Sequence, residues 1–159
     1  DQTGLWAQLA RALDSDAQYL IEGLAIGASS VRVVYEKPDF AGSHLWSAPL
    51  DGSAAAIALS AGEDLRDYRT ILEGGGVLYT ADEDVRGVFE LYARPVNGVF
   101  ASLQINHEFA NDYVSGSVGT FLVLGERAVY AADPDESDIL GLFSVPISGR
   151  RAPIQISAT

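Results

Sequence analysis

Three segments of the chain are copies of one another, and this constrains the fold more than any other feature. They read Leu45-Trp46-Ser47-Ala48-Pro49-Leu50-Asp51-Gly52, Leu91-Tyr92-Ala93-Arg94-Pro95-Val96-Asn97-Gly98 and Leu142-Phe143-Ser144-Val145-Pro146-Ile147-Ser148-Gly149. The shared pattern is Leu, aromatic, small, any residue, Pro, aliphatic, turn former, Gly, recurring after 46 and then 51 residues. The flanks repeat too: Val33-Val34-Tyr35, Val77-Leu78-Tyr79 and Ala128-Val129-Tyr130 lie upstream. Downstream lie Ile57-Ala58-Leu59-Ser60, Leu103-Gln104-Ile105-Asn106 and Ile154-Gln155-Ile156-Ser157, and each closing Ser or Asn stands 11 residues after the Pro. Periods of this size belong to solenoids, propellers or arrays.

Each unit reads as β-structure. Val77, Tyr79 and Phe89-Glu90-Leu91-Tyr92 are strand formers, and Asp51-Gly52 and Asn97-Gly98 are tight hairpin turns, where Asn or Asp and then Gly can take positive φ. Ser148-Gly149 fills the same slot. The Pro lies near the end of its strand, where it predicts an unpaired edge or a bulge because it has no N–H to donate. A further apolar stretch precedes each unit, at Leu20 to Ile26, Tyr68 to Leu72 and Val118 to Leu124, giving four strands per unit. The expected fold is an all-β propeller of about three four-stranded blades, at about 20–62, 63–108 and 109–159. A β-sandwich is the alternative, but it does not require its hairpins to resemble one another. Residues 1–19 fit the repeat badly. Leu5, Trp6, Leu9, Ala12 and Leu13 have helical spacing, with Thr3 as a cap and Asp14-Ser15-Asp16 as a stop. This segment is expected to be a short helical or extended cap that covers a blade edge or docks to another subunit.

Val77-Leu78-Tyr79-Thr80-Ala81-Asp82-Glu83-Asp84, followed by Gly87-Val88-Phe89-Glu90-Leu91-Tyr92 and Pro95-Val96-Asn97-Gly98, resembles the blade repeat of TolB-like β-propellers. Ala128-Val129-Tyr130-Ala131-Ala132-Asp133-Pro134-Asp135 with Leu142-Phe143-Ser144-Val145-Pro146 is similar. The first copy departs: Glu36-Lys37-Pro38-Asp39 replaces the Ala-Asp-x-Asp loop, and the interval from Tyr35 to Leu45 is 10 residues rather than 12. The resemblance spans about residues 20 to 157. It implies an extracytoplasmic, usually bacterial module that binds partners through its faces without catalysis, and in such families six blades usually complete the ring.

Charge narrows the partners. The 159 residues carry 10 Lys and Arg against 22 Asp and Glu, a net charge of −12. Phosphate binding needs clustered cations, so neither nucleic acid nor an anionic membrane is expected as partner. The acidity fits a self-repelling soluble surface, and adaptation to high salt is the other reading. There is no Cys, which rules out disulfides and thiolate chemistry. No apolar run approaches the ~18 residues of a membrane helix, and no signal peptide stands at the start. The chain also lacks Met and any N-x-[ST] sequon; a chain without Met reads as a processed form or a piece of something longer, and both fit a secreted parent.

Candidate chemistry is sparse. Asp82-Glu83-Asp84 and Asp133-Pro134-Asp135-Glu136-Ser137-Asp138 are carboxylate-rich loops. Asp82, Asp84, Asp133 and Asp135 are the candidate ligands, and calcium is the ion that such oxygens would take. Neither loop completes a calcium-loop pattern, and the competing role is Asp accepting hydrogen bonds from turn amides. His44 and His107 lack paired metal-ligand spacing and are expected at the surface. Ser115-Gly116-Ser117-Val118-Gly119 is not a nucleophile elbow, since it leads into a strand. Gly74-Gly75-Gly76 lacks the Lys and helix of a phosphate loop and reads as a hairpin turn. Trp46, Tyr92 and Phe143 share one repeat position, where they either stack sugars or pack as core; flanking Leu residues favour core. No catalytic constellation emerges.

The function expected is therefore a non-catalytic extracellular or periplasmic module for protein binding or assembly. A glycan-binding lectin, the non-catalytic propeller of a larger hydrolase and a subunit of a surface filament are the alternatives. Three blades leave two faces bare, so the chain is expected to be part of a longer propeller or to form a homodimer that closes a six-bladed ring.

Overall fold

The structure is a computed structural model that describes residues 20–26, 31–38, 40, 42–62, 64–71, 75–108, 117–133 and 139–157. The expected N-terminal cap, residues 1–19, lies outside them. Three four-stranded antiparallel sheets follow one another in chain order. The first contains β1 (Leu20–Ile26), β2 (Val31–Pro38), β3 (Ser43–Pro49) and β4 (Ile57–Ala58). The second contains β5 (Leu65–Ile71), β6 (Gly76–Ala81), β7 (Glu90–Pro95) and β8 (Leu103–Gln104). The third contains β9 (Thr120–Leu124), β10 (Arg127–Ala132), β11 (Gly141–Pro146) and β12 (Ile154–Gln155). Each sheet is a simple meander, and among the described residues no helix is long and apolar enough to cross a membrane.

The repeat motif explains its own geometry. Each Pro ends the third strand and opens a turn: the amides of Gly52, Gly98 and Gly149 donate to the carbonyls of Pro49, Pro95 and Pro146 at 3.1, 3.0 and 2.9 Å. The three glycines have φ of 68°, 67° and 63°, the left-handed region that a Cβ disfavours. β4 pairs only with Trp46 and Ser47, so Pro49 meets no strand on that side. The closing Ser or Asn has a matching task. Ser60 Oγ, Asn106 Oδ1 and Ser157 Oγ accept the amides of Leu45, Leu91 and Leu142 at 2.8, 2.8 and 3.0 Å. Each side chain takes over beyond the short fourth strand and satisfies a third-strand donor that would otherwise lack a partner.

Alternation along the strands gives every sheet two apolar faces. Along β6, Val77, Tyr79 and Ala81 point to the first sheet, while Leu78 points to the third. One seam packs Val34, Leu45 and Leu59 of the first unit against Tyr68, Val77, Tyr79 and Tyr92. The next packs Leu78, Leu91 and Ile105 against Phe121, Ala128, Tyr130, Phe143 and Val145. Each fully buried Val or Leu contributes about 1.5–3 kcal/mol. The tyrosine-bearing face of each sheet is here called its reverse face, and the opposite one its forward face. The first strands adjoin, β1 beside β5 and β5 beside β9.

The shorter first-copy interval is a shorter hairpin. The β2–β3 ladder runs out to Pro38↔Ser43, whereas the β6–β7 ladder stops at Ala81↔Glu90 and leaves room for the 82–89 loop.

Candidate functional site

Asp82 is 6% exposed. Its Oδ1 accepts the Asp64 amide at 2.7 Å and its Oδ2 accepts the Gly87 amide at 2.9 Å. Both carboxylate oxygens therefore bind backbone, which ties the loop to the start of β5. Asp84 is exposed, and its Oδ2 accepts the Tyr92 hydroxyl at 3.2 Å. Asp133 is buried. Asp135 lies outside the described residues. Among the described residues no three His, Asp or Glu side chains converge as a metal-binding group.

The seam between the first and second sheets carries a denser polar cluster. Tyr79 and Tyr92 stack with ring centroids 5.6 Å apart. The Tyr79 hydroxyl donates to Glu83 Oε1 at 2.6 Å, and that oxygen also accepts the Ala61 amide at 3.0 Å. Ser102 Oγ donates to Glu83 Oε2 at 2.7 Å. Tyr92 donates to Glu90 Oε2 at 2.7 Å, while Gln104 Nε2 donates to Glu90 Oε1 at 2.6 Å. Burial first, and then the adjacent carboxylates, push both phenols far above the usual tyrosine value. They stay protonated and act as donors. Arg94 crosses the same seam, its guanidinium donating to the carbonyls of Leu59 and Phe100. This cluster locks one sheet to the next.

The following seam solves the same problem differently. Tyr130 stacks on Phe143 at 5.5 Å, and the His107 ring meets Phe143 edge-on at 4.9 Å. His107 Nδ1 lies 3.1 Å from the Tyr130 hydroxyl. His107 is thus a half-buried packing residue, not the surface residue expected from sequence, and burial lowers its pKa. Phe143 has no hydroxyl to satisfy, and where the second unit has Glu90 the third has Gly141. A Cβ at Gly141 would lie 2.8 Å from the Phe143 ring. Tyr92 and Phe143 are 3% and 5% exposed, so two of the three recurring aromatics are core and offer no platform for a sugar.

On the forward faces a second device recurs. Arg32 Nε donates to Ser47 Oγ at 2.8 Å, and its Nη2 donates to the Ser47 carbonyl at 3.2 Å. Arg127 repeats this on Ser144, at 2.7 and 3.2 Å. The second unit has Gly76 and Ala93 at these positions, and there an apolar cavity of about 350 Å³ opens between the second and third sheets. Ile71, Ala93, Phe100, Leu103 and Ile147 form much of its wall. Nothing that recurs in the sequence marks this cavity; its signal is the loss of the Arg and Ser that the other two units share.

The third sheet's forward face is open. Leu142 and Ile156 are 40% and 49% exposed, whereas their counterparts Leu45 and Leu59, and Leu91 and Ile105, are buried. Leu122, Leu124 and Ile154 extend this apolar surface. The chain matches no protein-family model, and no curated protein matches it.

Proposed function

We propose that the three sheets are blades of a β-propeller-type module that is non-catalytic, extracytoplasmic and built to bind protein or to assemble. Consecutive meanders stacked face to face, with first strands adjoining and short fourth strands at the margin, support the propeller reading. The observation that carries the assembly reading is the open forward face of the third sheet. Its equivalents in the other two units are sealed by a neighbouring sheet, and exposed apolar faces of this kind mark interaction surfaces. A second copy is the first occupant to test, seated on the third sheet's open face; Val33, Tyr35 and Ala48 of the first sheet are already buried within one chain, so a partner's first sheet does not present a matching bare face.

The test is mass in solution, by light scattering coupled to size exclusion, over a range of concentrations. We expect association that grows with concentration and is lost in Leu142→Lys, which changes an exposed residue. A strictly monomeric chain, or association indifferent to this substitution, refutes assembly through the open face. Turnover of ester, phosphate or glycoside substrates would refute the non-catalytic reading, and a sugar-dependent rise in Tm would transfer the function to glycan binding.

A further inference from the structure

We infer that the cavity between the second and third sheets is a socket for the arginine side chain of a protein partner. The chain itself shows what such a place holds. In the first and third units an arginine on the second strand crosses the forward face and donates to the third strand, through Ser47 and Ser144. In the second unit Gly76 and Ala93 withdraw both partners, and the space remains as a cavity of about 350 Å³. An engineered cavity of about 150 Å³ already admits benzene.

Glycine is not required at position 76 by its backbone. Gly76 is absent from the glycines of positive φ, and an added Cβ would meet only the Ile71 Cδ1 tip within 3.4 Å, at 3.2 Å. Its structural consequence is the open space.

The walls suit an alkylguanidinium. Ile71, Ala93, Leu103 and Ile147 offer apolar surface to the methylene stem. Phe100, 69% exposed, also lines the cavity, and an aromatic ring there suits a planar cation. The Arg94 carbonyl lies 3.7 Å from where a Gly76 Cβ would stand; it belongs to the ladder with Val77, so a guanidinium would share it through its second lone pair, as Arg32 and Arg127 share the carbonyls of Ser47 and Ser144. The Arg94 guanidinium is engaged with the Leu59 and Phe100 carbonyls. A net charge of −12 draws cations to the surface.

This inference rests on the protein-binding reading and names the side chain recognised. The probe is N-butylguanidinium, followed through the methyl resonances of Leu103 and Ile147 in the full chain. Small size sets the expected Kd at about a millimolar. Three results support the socket. N-butylguanidinium saturates the shifts while n-butanol, the same stem without the cation, binds at least tenfold more weakly. Phe100→Ala weakens binding severalfold without changing Tm. Gly76→Arg with Ala93→Ser, which rebuilds the internal pair, keeps the Tm and abolishes the shifts. Absence of saturable shifts up to about 50 mM, well beyond such a constant, overturns the socket. So does equal binding of n-butanol, or full binding by Phe100→Ala. Each of these failures leaves assembly through the third sheet untouched, because that is read from mass.

Discussion

Replacing Asp82 with Asn separates a loop-holding role from a calcium-ligand role. Both Asp82 oxygens accept backbone amides, at 2.7 and 2.9 Å, from a side chain that is 6% exposed. Hydrogen bonds to a charged group contribute about 1.5–3 kcal/mol each. Asn keeps one acceptor and turns an NH2 donor toward the other amide, so one bond is lost and two donors face each other. The expected loss is about 2–3 kcal/mol, which for a chain of this size lowers Tm by about 4–12 °C. Thermal melts followed by circular dichroism, in 1 mM calcium and in chelator, give the answer. With both oxygens occupied by amides, calcium should move neither melting curve by more than about 1 °C. A ligand bound at a hundred times its Kd would add about 2.7 kcal/mol, a shift as large as that of the substitution. A loop-holding role for Asp82 is refuted if Asp82→Asn melts with the parent, or if calcium stabilises the parent alone.

Three other outcomes are expected. Gly62→Ala places a Cβ 2.7 Å from the Asp82 carbonyl carbon, against backbone that cannot swing aside, and should cost about 2 kcal/mol or more in urea titration; an unchanged midpoint would show that the two units are not in close contact there. Tyr92→Phe strips the phenol donor from buried Glu90 and should cost about 1–3 kcal/mol, with Glu90→Gln in the same chain recovering part; strict additivity would show that the two do not interact. Burial pushes Tyr130 up to about 12, and Tyr79 and Tyr92 rise further, so the folded state favours the neutral phenols. That stability is complete below about pH 10, the unfolded value, and drains away as pH climbs through 12. Tm measured against pH should therefore fall steeply on the alkaline side and less so in Tyr130→Phe; a flat profile to pH 12 contradicts the assignment.

Much of the architecture was legible because the repeat displays each strand three times. Leu20 to Ile26 was bounded correctly, and the turns at Gly52, Gly98 and Gly149 stand where Asp, Asn or Ser precedes Gly. The apolar stretch predicts β5 from Tyr68, whereas the strand opens at Leu65. Its opening is polar at Arg66 and Asp67 and carries a register shift between Leu65 and Asp67, which hides the alternation. The Asp82 loop was recognised, and the structure gives it the turn-amide bonds that were one of its two readings. The Glu83 and Glu90 clusters were not legible, because Ser102, Gln104 and Ala61 reach them only through pairing between strands and sheets. The cavity was hidden for another reason. Comparing copies draws attention to what recurs, and Gly76 and Ala93 matter by differing.

The fourth strands, two residues each in β4, β8 and β12, have a consequence for the molecule's colloidal behaviour. An extended outer strand would present a row of bare N–H and C=O groups on which a foreign chain can template. Here each margin offers at most a stub of ladder, and the side chains of Ser60, Asn106 and Ser157 occupy the next donors along. At the fourth-strand margin, lateral cross-β recruitment is thereby starved of a seed.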